Sequence, residues 1–90
     1  MTKQEFVDAV AGRAGLSKRD AAGAVDACLD TITDALANGD SVAFTGFGKF
    51  STSRRAARMG VNPRTGAPVH IAAANVPKFS AGSQLKKAVN

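Results

Sequence analysis

The chain has 90 residues, a formal net charge of +5 and a single cysteine, Cys28. This length allows one domain, and no run of about 18 apolar residues is present to span a membrane. A lone cysteine excludes an intrachain disulfide, and Met1–Glu5 lacks the features of a secretory leader, so we expect a cytoplasmic location.

The residue types that build common catalytic and metal sites are scarce. One histidine and one cysteine cannot complete a zinc site within the chain. The segment Gly46-Phe47-Gly48 lacks the further glycine and the following helix of a nucleotide-binding loop. We therefore predict that the protein is not an enzyme and holds no metal and no cofactor.

Charge is divided sharply between the two parts of the chain. Residues 1–40 carry four basic and all seven acidic side chains, whereas residues 41–90 carry eight basic side chains and no acidic one. A segment of this kind is typical of a surface that binds a polyanion, and a basic face kept for solubility is the alternative.

Two amphipathic helices are predicted in the first forty residues. Thr2 and Glu5 have the spacing of a capping box, and Gly15 is a helix stop signal. Ser17 is the cap of a second, longer helix, which Asn38-Gly39 ends. Apolar residues recur at helical spacing in both segments: Phe6, Val10 and Ala14, then Val25, Cys28, Leu29, Ile32 and Leu36.

After residue 40 the pattern changes to strands and turns. Segments 45–48 and 62–66 contain the glycine and proline that are typical of turns. Side chains alternate in character from Lys49 onward, as in a strand with two different faces. Ser80 is predicted to cap a final short helix. The predicted strands cover residues 41–44, 49–58, 69–74 and 76–79.

The segment 54–70, called the arm below, has the pattern of a β-hairpin with few large apolar side chains. Four arginines dominate it: Arg54, Arg55, Arg58 and Arg64. Because a two-stranded ribbon alone in water is marginally stable, we predict an arm that projects from the body and is mobile until it meets a ligand. An ordinary flexible surface hairpin is the alternative.

Four stretches in this order and spacing resemble the HU family of bacterial nucleoid proteins, relatives of integration host factor. They are Thr45–Phe50, Arg54–Arg58, Gly60–Gly66 and Ile71–Phe79. The resemblance covers essentially the whole chain. It implies an α+β fold in which two N-terminal helices precede a three-stranded antiparallel sheet with a protruding β-ribbon arm, and a short C-terminal helix follows.

The resemblance also implies an intertwined homodimer, with a heterodimer with a paralogue left open. Residues 1–40 would form a helical dimerisation base, residues 41–80 a β-saddle carrying the arm, and residues 81–90 the last helix. The shared dimer core would contain Phe44, Phe47, Phe50, Phe79, Leu29 and Ile32.

The resemblance implies that the arms bind the minor groove of double-stranded DNA. Bent, nicked or otherwise distorted DNA should bind better, because part of the unstacking cost is already met. The resemblance implies that Pro63 at the arm tip is the wedge between base steps, although its residue type is also that of a simple turn former. The expected DNA contacts are Arg55, Arg58, Asn62, Arg64, Arg54 and His70 on the arm, with Lys3, Lys78 and Lys86 on the body. Each of those three lysines has a plain solvated side chain as its alternative, and an inert arm histidine is the alternative for His70.

The arm departs from the family pattern at three positions. Val61 and Ala67 stand where relatives often have basic residues, and His70 stands where lysine is frequent. Several positive charges per dimer are therefore missing or weakened. Because minor-groove edges barely distinguish A·T from T·A, the expected function is still that of a non-sequence-specific architectural protein that bends and compacts DNA in the nucleoid. The alternatives are a sequence-selective integration-host-type or phage-encoded bending factor and a scaffold dimer whose arms bind RNA or protein.

Overall fold

A computed structural model describes all residues 1–90. The elements are α1 (Lys3–Ala14), α2 (Lys18–Ala37), β1 (Val42–Phe44), β2 (Gly48–Arg55), β3 (Arg58–Val61), β4 (Pro68–Ile71), β5 (Ala74–Ala81) and α3 (Ser83–Val89). The predicted α+β class is confirmed. No helix has both the length and the apolar character needed to cross a membrane. The chain forms two compact units, Met1–Asp34 and Ala35–Asn90.

Local capping explains the helix boundaries of the first unit. The Thr2 hydroxyl accepts the Glu5 backbone N–H at 3.3 Å, and Gly15 ends α1 in the left-handed region at a φ of 68°. The Ser17 hydroxyl accepts the Asp20 N–H at 3.1 Å where α2 begins. These predicted caps are confirmed because each depends only on residues within one helical turn.

The core of the first unit is small. Its buried residues are Val7, Ala11, Ala21 and Val25. Three large apolar side chains of the same unit stay close to half exposed: Phe6, Leu16 and Leu29. Four small or medium side chains bury little apolar area, so this unit leaves much of its hydrophobic surface in water.

The second unit is built on a three-stranded antiparallel sheet of order β1-β2-β5. Phe50 lies opposite Phe79 in the β2–β5 ladder, and Thr52 lies opposite Pro77. The Thr52 hydroxyl donates to the Leu36 carbonyl at 3.3 Å, which ties this face of the sheet to the last turn of α2. The predicted three-stranded sheet is thereby confirmed.

One register runs through the long hairpin despite an interruption. The β2–β5 ladder ends with Arg55 opposite Ala74, and the β3–β4 ladder begins with Arg58 opposite Ile71. Two residues of each strand are therefore unpaired, Ala56-Ala57 and Ala72-Ala73, and strand pairing resumes in the same register. The β3 and β4 strands pack extensively only against each other, as expected for an arm.

The prediction that Ser80 caps the last helix is wrong. Ser80 lies in β5 opposite Lys49, and Gly82 occupies the N-cap position of α3 without a side-chain cap. The N–H groups of Gln84 and Leu85 both donate to the Gly46 carbonyl, at 3.1 and 3.2 Å. Pairing with a distant strand thus extends β5 past the residue that has the local cap signal.

Candidate nucleic-acid interface

The cationic side chains of the second unit have no carboxylate partner. The two ion pairs of the chain join Lys3 to Asp26 and Lys18 to Asp8, all within the first unit. The single acidic residue of the second unit, Asp40, accepts the Ser41 backbone N–H instead. Positive charge on the sheet and the arm is therefore not neutralised inside the molecule, and a polyanion would meet it directly.

One face of the β2–β5 ladder is polar and basic. Directly opposite residues in an antiparallel pair share a face, and successive residues alternate between faces. Lys49 lies opposite Ser80, and Ser51 lies opposite Lys78. We call this surface the cationic face; its polar members are Lys49, Ser51, Ser53, Arg55, Lys78 and Ser80, and Val76 and Ala74 lie on it opposite Ser53 and Arg55. Lys49 and the hydroxyls are absent from the predicted contacts, although the alternation that begins at Lys49 marks them.

The two arginines at the end of β2 are held by hydrogen bonds. Arg54 Nη1 donates to Asn75 Oδ1 at 3.3 Å on the side of the sheet that carries the phenylalanines. Arg55 Nη2 donates to the Ala72 carbonyl at 3.2 Å and so reaches from β2 to the interruption of the ladder. Each guanidinium retains further N–H donors for a phosphate, because arginine carries five.

The β3–β4 ribbon forms an open groove of about 520 Å³. Its lining residues are Arg58, Gly60, Val61, Asn62, Pro63, Val69 and Ile71. A Cβ added at Gly60 would lie 3.0 Å from Ile71 Cδ1, so a larger residue there would crowd the groove. The exposed Arg58 side chain makes no hydrogen bond or ion pair in the chain, so its guanidinium is free at the wall of the groove.

The tip of the arm is a tight turn closed by backbone hydrogen bonds. The Asn62 N–H donates to the Ala67 carbonyl at 2.9 Å, and the Gly66 N–H donates to the Asn62 carbonyl at 2.7 Å. Gly66 has a φ of 69°, which favours glycine. Pro63 and Arg64 are exposed at the end of this turn. The tip therefore presents a rigid apolar ring beside a cation.

The remaining predicted contacts are scattered. His70 is exposed in β4 opposite Met59, and Lys86 is exposed in α3. Lys3 lies in the first unit, with its ammonium 2.6 Å from Asp26 Oδ1. The hydrogen bond to the Asp26 carboxylate, reinforced by its charge, raises the pKa of Lys3 above its ordinary value. Lys3 is thus charged at neutral pH but is already engaged by a carboxylate.

The residues predicted for a dimer core include four phenylalanines that meet in the second unit. Ring centroids lie 4.8 Å apart for Phe50 and Phe79 and 5.7 Å apart for Phe47 and Phe79. Phe44 contacts both Phe47 and Phe50 edge-on at 6.4 Å. We call these four the phenylalanine cluster. Three of its members remain 44–49% exposed, which is unusual for large aromatic side chains that form the hydrophobic core of a folded protein.

The remaining two residues of that set lie on α2. Leu29, in the first unit, is 49% exposed, whereas Ile32 is only partly exposed. Neither residue is among the four that form the buried core of the first unit. Their assignment to a dimer core stays a prediction.

The family described as "Bacterial DNA-binding protein" matches residues 1–90. The chain belongs to this family. It is 59% identical over 90 residues to DNA-binding protein HRL18 of Rhizobium leguminosarum, covering 100% of this chain and 99% of that protein. It is 51% identical to DNA-binding protein HU-beta of Pseudomonas aeruginosa, with full coverage of both chains.

A solved structure shows the same fold. The chain matches Anabaena HU in an HU–DNA cocrystal structure with a TM-score of 0.93 and 44% identity, covering 99% of this chain and 97% of that one. The resemblance to HU that the four sequence stretches indicate is therefore confirmed, and with it the HU-like α+β fold. Which residues of this chain touch DNA stays a prediction.

Proposed function

We propose that this chain is a non-sequence-specific architectural DNA-binding protein that works as a dimer, binds the minor groove and bends the duplex. The observation that carries the proposal is a cationic face and an arm that together hold six basic side chains with no carboxylate among their partners. Its membership in the bacterial DNA-binding family agrees with a nucleic acid as the polyanion.

The arm supplies the groove-binding element. A two-stranded ribbon with arginines along it neutralises phosphates on both sides of a groove, and minor-groove architectural proteins such as HU also insert an apolar residue between base steps. Pro63 is the exposed apolar residue at the tip, and the hydrogen-bonded turn holds its ring in place. We assign Pro63 as the wedge, with Arg58 and Arg64 as phosphate contacts beside it.

Dimerisation supplies the second arm. The buried core of the first unit consists of four residues, and the phenylalanine cluster leaves three rings close to half exposed. A second chain that covers these rings removes large aromatic area from water, and obligate dimers have no stable folded monomer. The thermal midpoint should therefore rise with protein concentration, and a midpoint that ignores dilution would refute obligate dimerisation.

Binding of this kind depends on DNA shape more than on sequence. A kinked, nicked or mismatched site needs less deformation energy than an intact linear duplex, so it should bind more tightly. The expected partner is double-stranded DNA with such distortions, and the expected location is the nucleoid within the cytoplasm.

A mobility-shift titration tests the proposal. Linear, nicked and four-way DNA of equal length, together with a matched RNA duplex, are titrated at two salt concentrations. We expect the distorted DNA forms to bind most tightly and affinity to fall steeply with salt. A preference for one linear sequence by orders of magnitude would favour the sequence-selective alternative, and preference for RNA would favour the scaffold alternative. No binding to any nucleic acid would refute the proposal.

A further inference from the structure

The arm tip carries a side chain whose hydrogen-bonding direction is determined by its neighbours. The Arg64 backbone N–H lies 2.9 Å from the carboxamide of Asn62. Because a backbone N–H can only donate, the atom it meets must be Oδ1, and Nδ2 must point the other way. The Asn62 main chain is also fully engaged, through its N–H to Ala67 and its carbonyl from Gly66.

The donors of Asn62 Nδ2 have no partner within the chain. Asn62 is half-buried at the end of the arm groove, whose walls there are the apolar residues Val61 and Val69. No wall residue offers a side-chain acceptor. Arg58 and Arg64, at the groove and the tip, also carry only donors. The free side-chain groups that Asn62 Nδ2, Arg58 and Arg64 contribute to the arm are therefore all hydrogen-bond donors.

The minor groove of DNA distinguishes base pairs by this property. A·T and T·A pairs show only acceptors there, adenine N3 and thymine O2, whereas G·C adds the guanine N2 amino group as a donor. A fixed donor finds an acceptor at A·T, but at G·C it meets a second donor. We propose that Asn62 is a specificity-determining residue that favours base pairs without a minor-groove amino group under the arm tip, a role that rests on the proposed DNA-binding function.

The expected preference is modest. A net hydrogen bond contributes about 0.5–1.5 kcal/mol, which corresponds to roughly 2- to 10-fold in affinity. Sequence-specific proteins discriminate by roughly 10³–10⁷. The bias at Asn62 is thus far below that of a sequence-specific factor and is compatible with an architectural role.

Modified bases test the proposal without changing the major-groove side. A duplex with one central nick is prepared in four versions, in which the base pairs flanking the nick are A·T, inosine·C, G·C or 2,6-diaminopurine·T. Inosine lacks the amino group of guanine, and diaminopurine adds one to adenine. We expect the wild-type chain to bind the A·T and inosine·C duplexes about 2- to 10-fold more tightly than the other two.

Asn62→Asp is the informative variant because its carboxylate still accepts the Arg64 N–H and preserves the turn, but it has no donor. We expect lower affinity for all four duplexes and no remaining difference between them. Asn62→Ser, whose short hydroxyl also accepts that N–H, should lose the preference without the added charge. Asn75→Asp controls for charge on the same hairpin and should keep the preference.

The possible results separate the two proposals. Equal binding of all four duplexes by the wild-type chain would overturn the role of Asn62 and leave the architectural function intact. A preference that survives in both Asn62 variants would also overturn it, since base-pair flexibility sensed by Pro63 would then be the cause. Failure of the wild-type chain to bind any of the duplexes would refute DNA binding itself.

Discussion

Replacing Arg58 by glutamine removes one positive charge from the arm while keeping a polar side chain of similar length. Arg58 is the informative choice because it lines the arm groove and has no internal partner, whereas Arg55 also donates to the Ala72 carbonyl. Each neutralised phosphate contributes about 0.9 to the slope of log affinity against log salt. A dimer carries two copies, so Arg58→Gln should reduce that slope by about 1.8.

Fluorescence anisotropy with nicked DNA at salt concentrations from about 50 to 200 mM measures this slope. Over that fourfold range a slope change of about 1.8 means that the affinity deficit of the variant shrinks about 12-fold as salt is raised. Arg13→Gln, in the last turn of α1 in the other unit, is the matched control and should leave the slope unchanged. An unchanged slope for Arg58→Gln, or an equal change for Arg13→Gln, would refute the assignment of phosphate binding to the arm.

Three predictions concern stability, measured by urea unfolding. Gly48→Ala should lower the free energy of unfolding by about 1–3 kcal/mol through overpacking, because its added Cβ would lie 2.5 Å from the ring of Phe79. Unchanged stability would mean that β2 and β5 move apart enough to accommodate the methyl group. Gly23→Ala in α2, where an added Cβ meets nothing within 4 Å, should raise it by about 0.5–1 kcal/mol, and a loss would indicate a contact with the partner chain. Thr2→Ala should cost about 0.5–2 kcal/mol through the lost cap, with Thr2→Ser as the conservative control.

The elements that depend on local chemistry could be predicted from the sequence. The α1 cap at Thr2 and the stop at Gly15 involve residues within one turn, so the residue types alone indicate them. The end of β5 could not be predicted in this way. Ser80 has the local signal of a cap, but its pairing with Lys49, 31 positions away in the sequence, decides the structure. Non-local strand pairing of this kind overrides local preference.

The candidate site shows the same division between local and non-local information. Charge segregation and the turn at Asn62–Gly66 indicate a cationic arm without any knowledge of the fold. The interruption at Ala56-Ala57 and Ala72-Ala73 is invisible in the sequence, because alanine is compatible with both the paired and the unpaired state. The direction of the Asn62 carboxamide likewise depends on where the Arg64 N–H points.

The sheet separates the two surfaces that the proposed function requires. Phe79 lies opposite Phe50 on one face, while Lys49 lies opposite Ser80 on the other. A second chain that covers the phenylalanine cluster therefore leaves the cationic face free for DNA, and the two binding events do not compete.

Dimerisation and DNA binding are then thermodynamically linked, because DNA that binds only the dimer stabilises the dimer. Phe79→Ala should weaken DNA binding by weakening the dimer, although residue 79 lies on the face away from the DNA. Raising the protein concentration should restore the binding. Lys49→Gln should weaken binding at every protein concentration, because it leaves the dimer intact and removes a charge. If Phe79→Ala bound DNA like the wild-type chain in dilute solution, a single chain would suffice for binding, and the case for two arms acting together would fail.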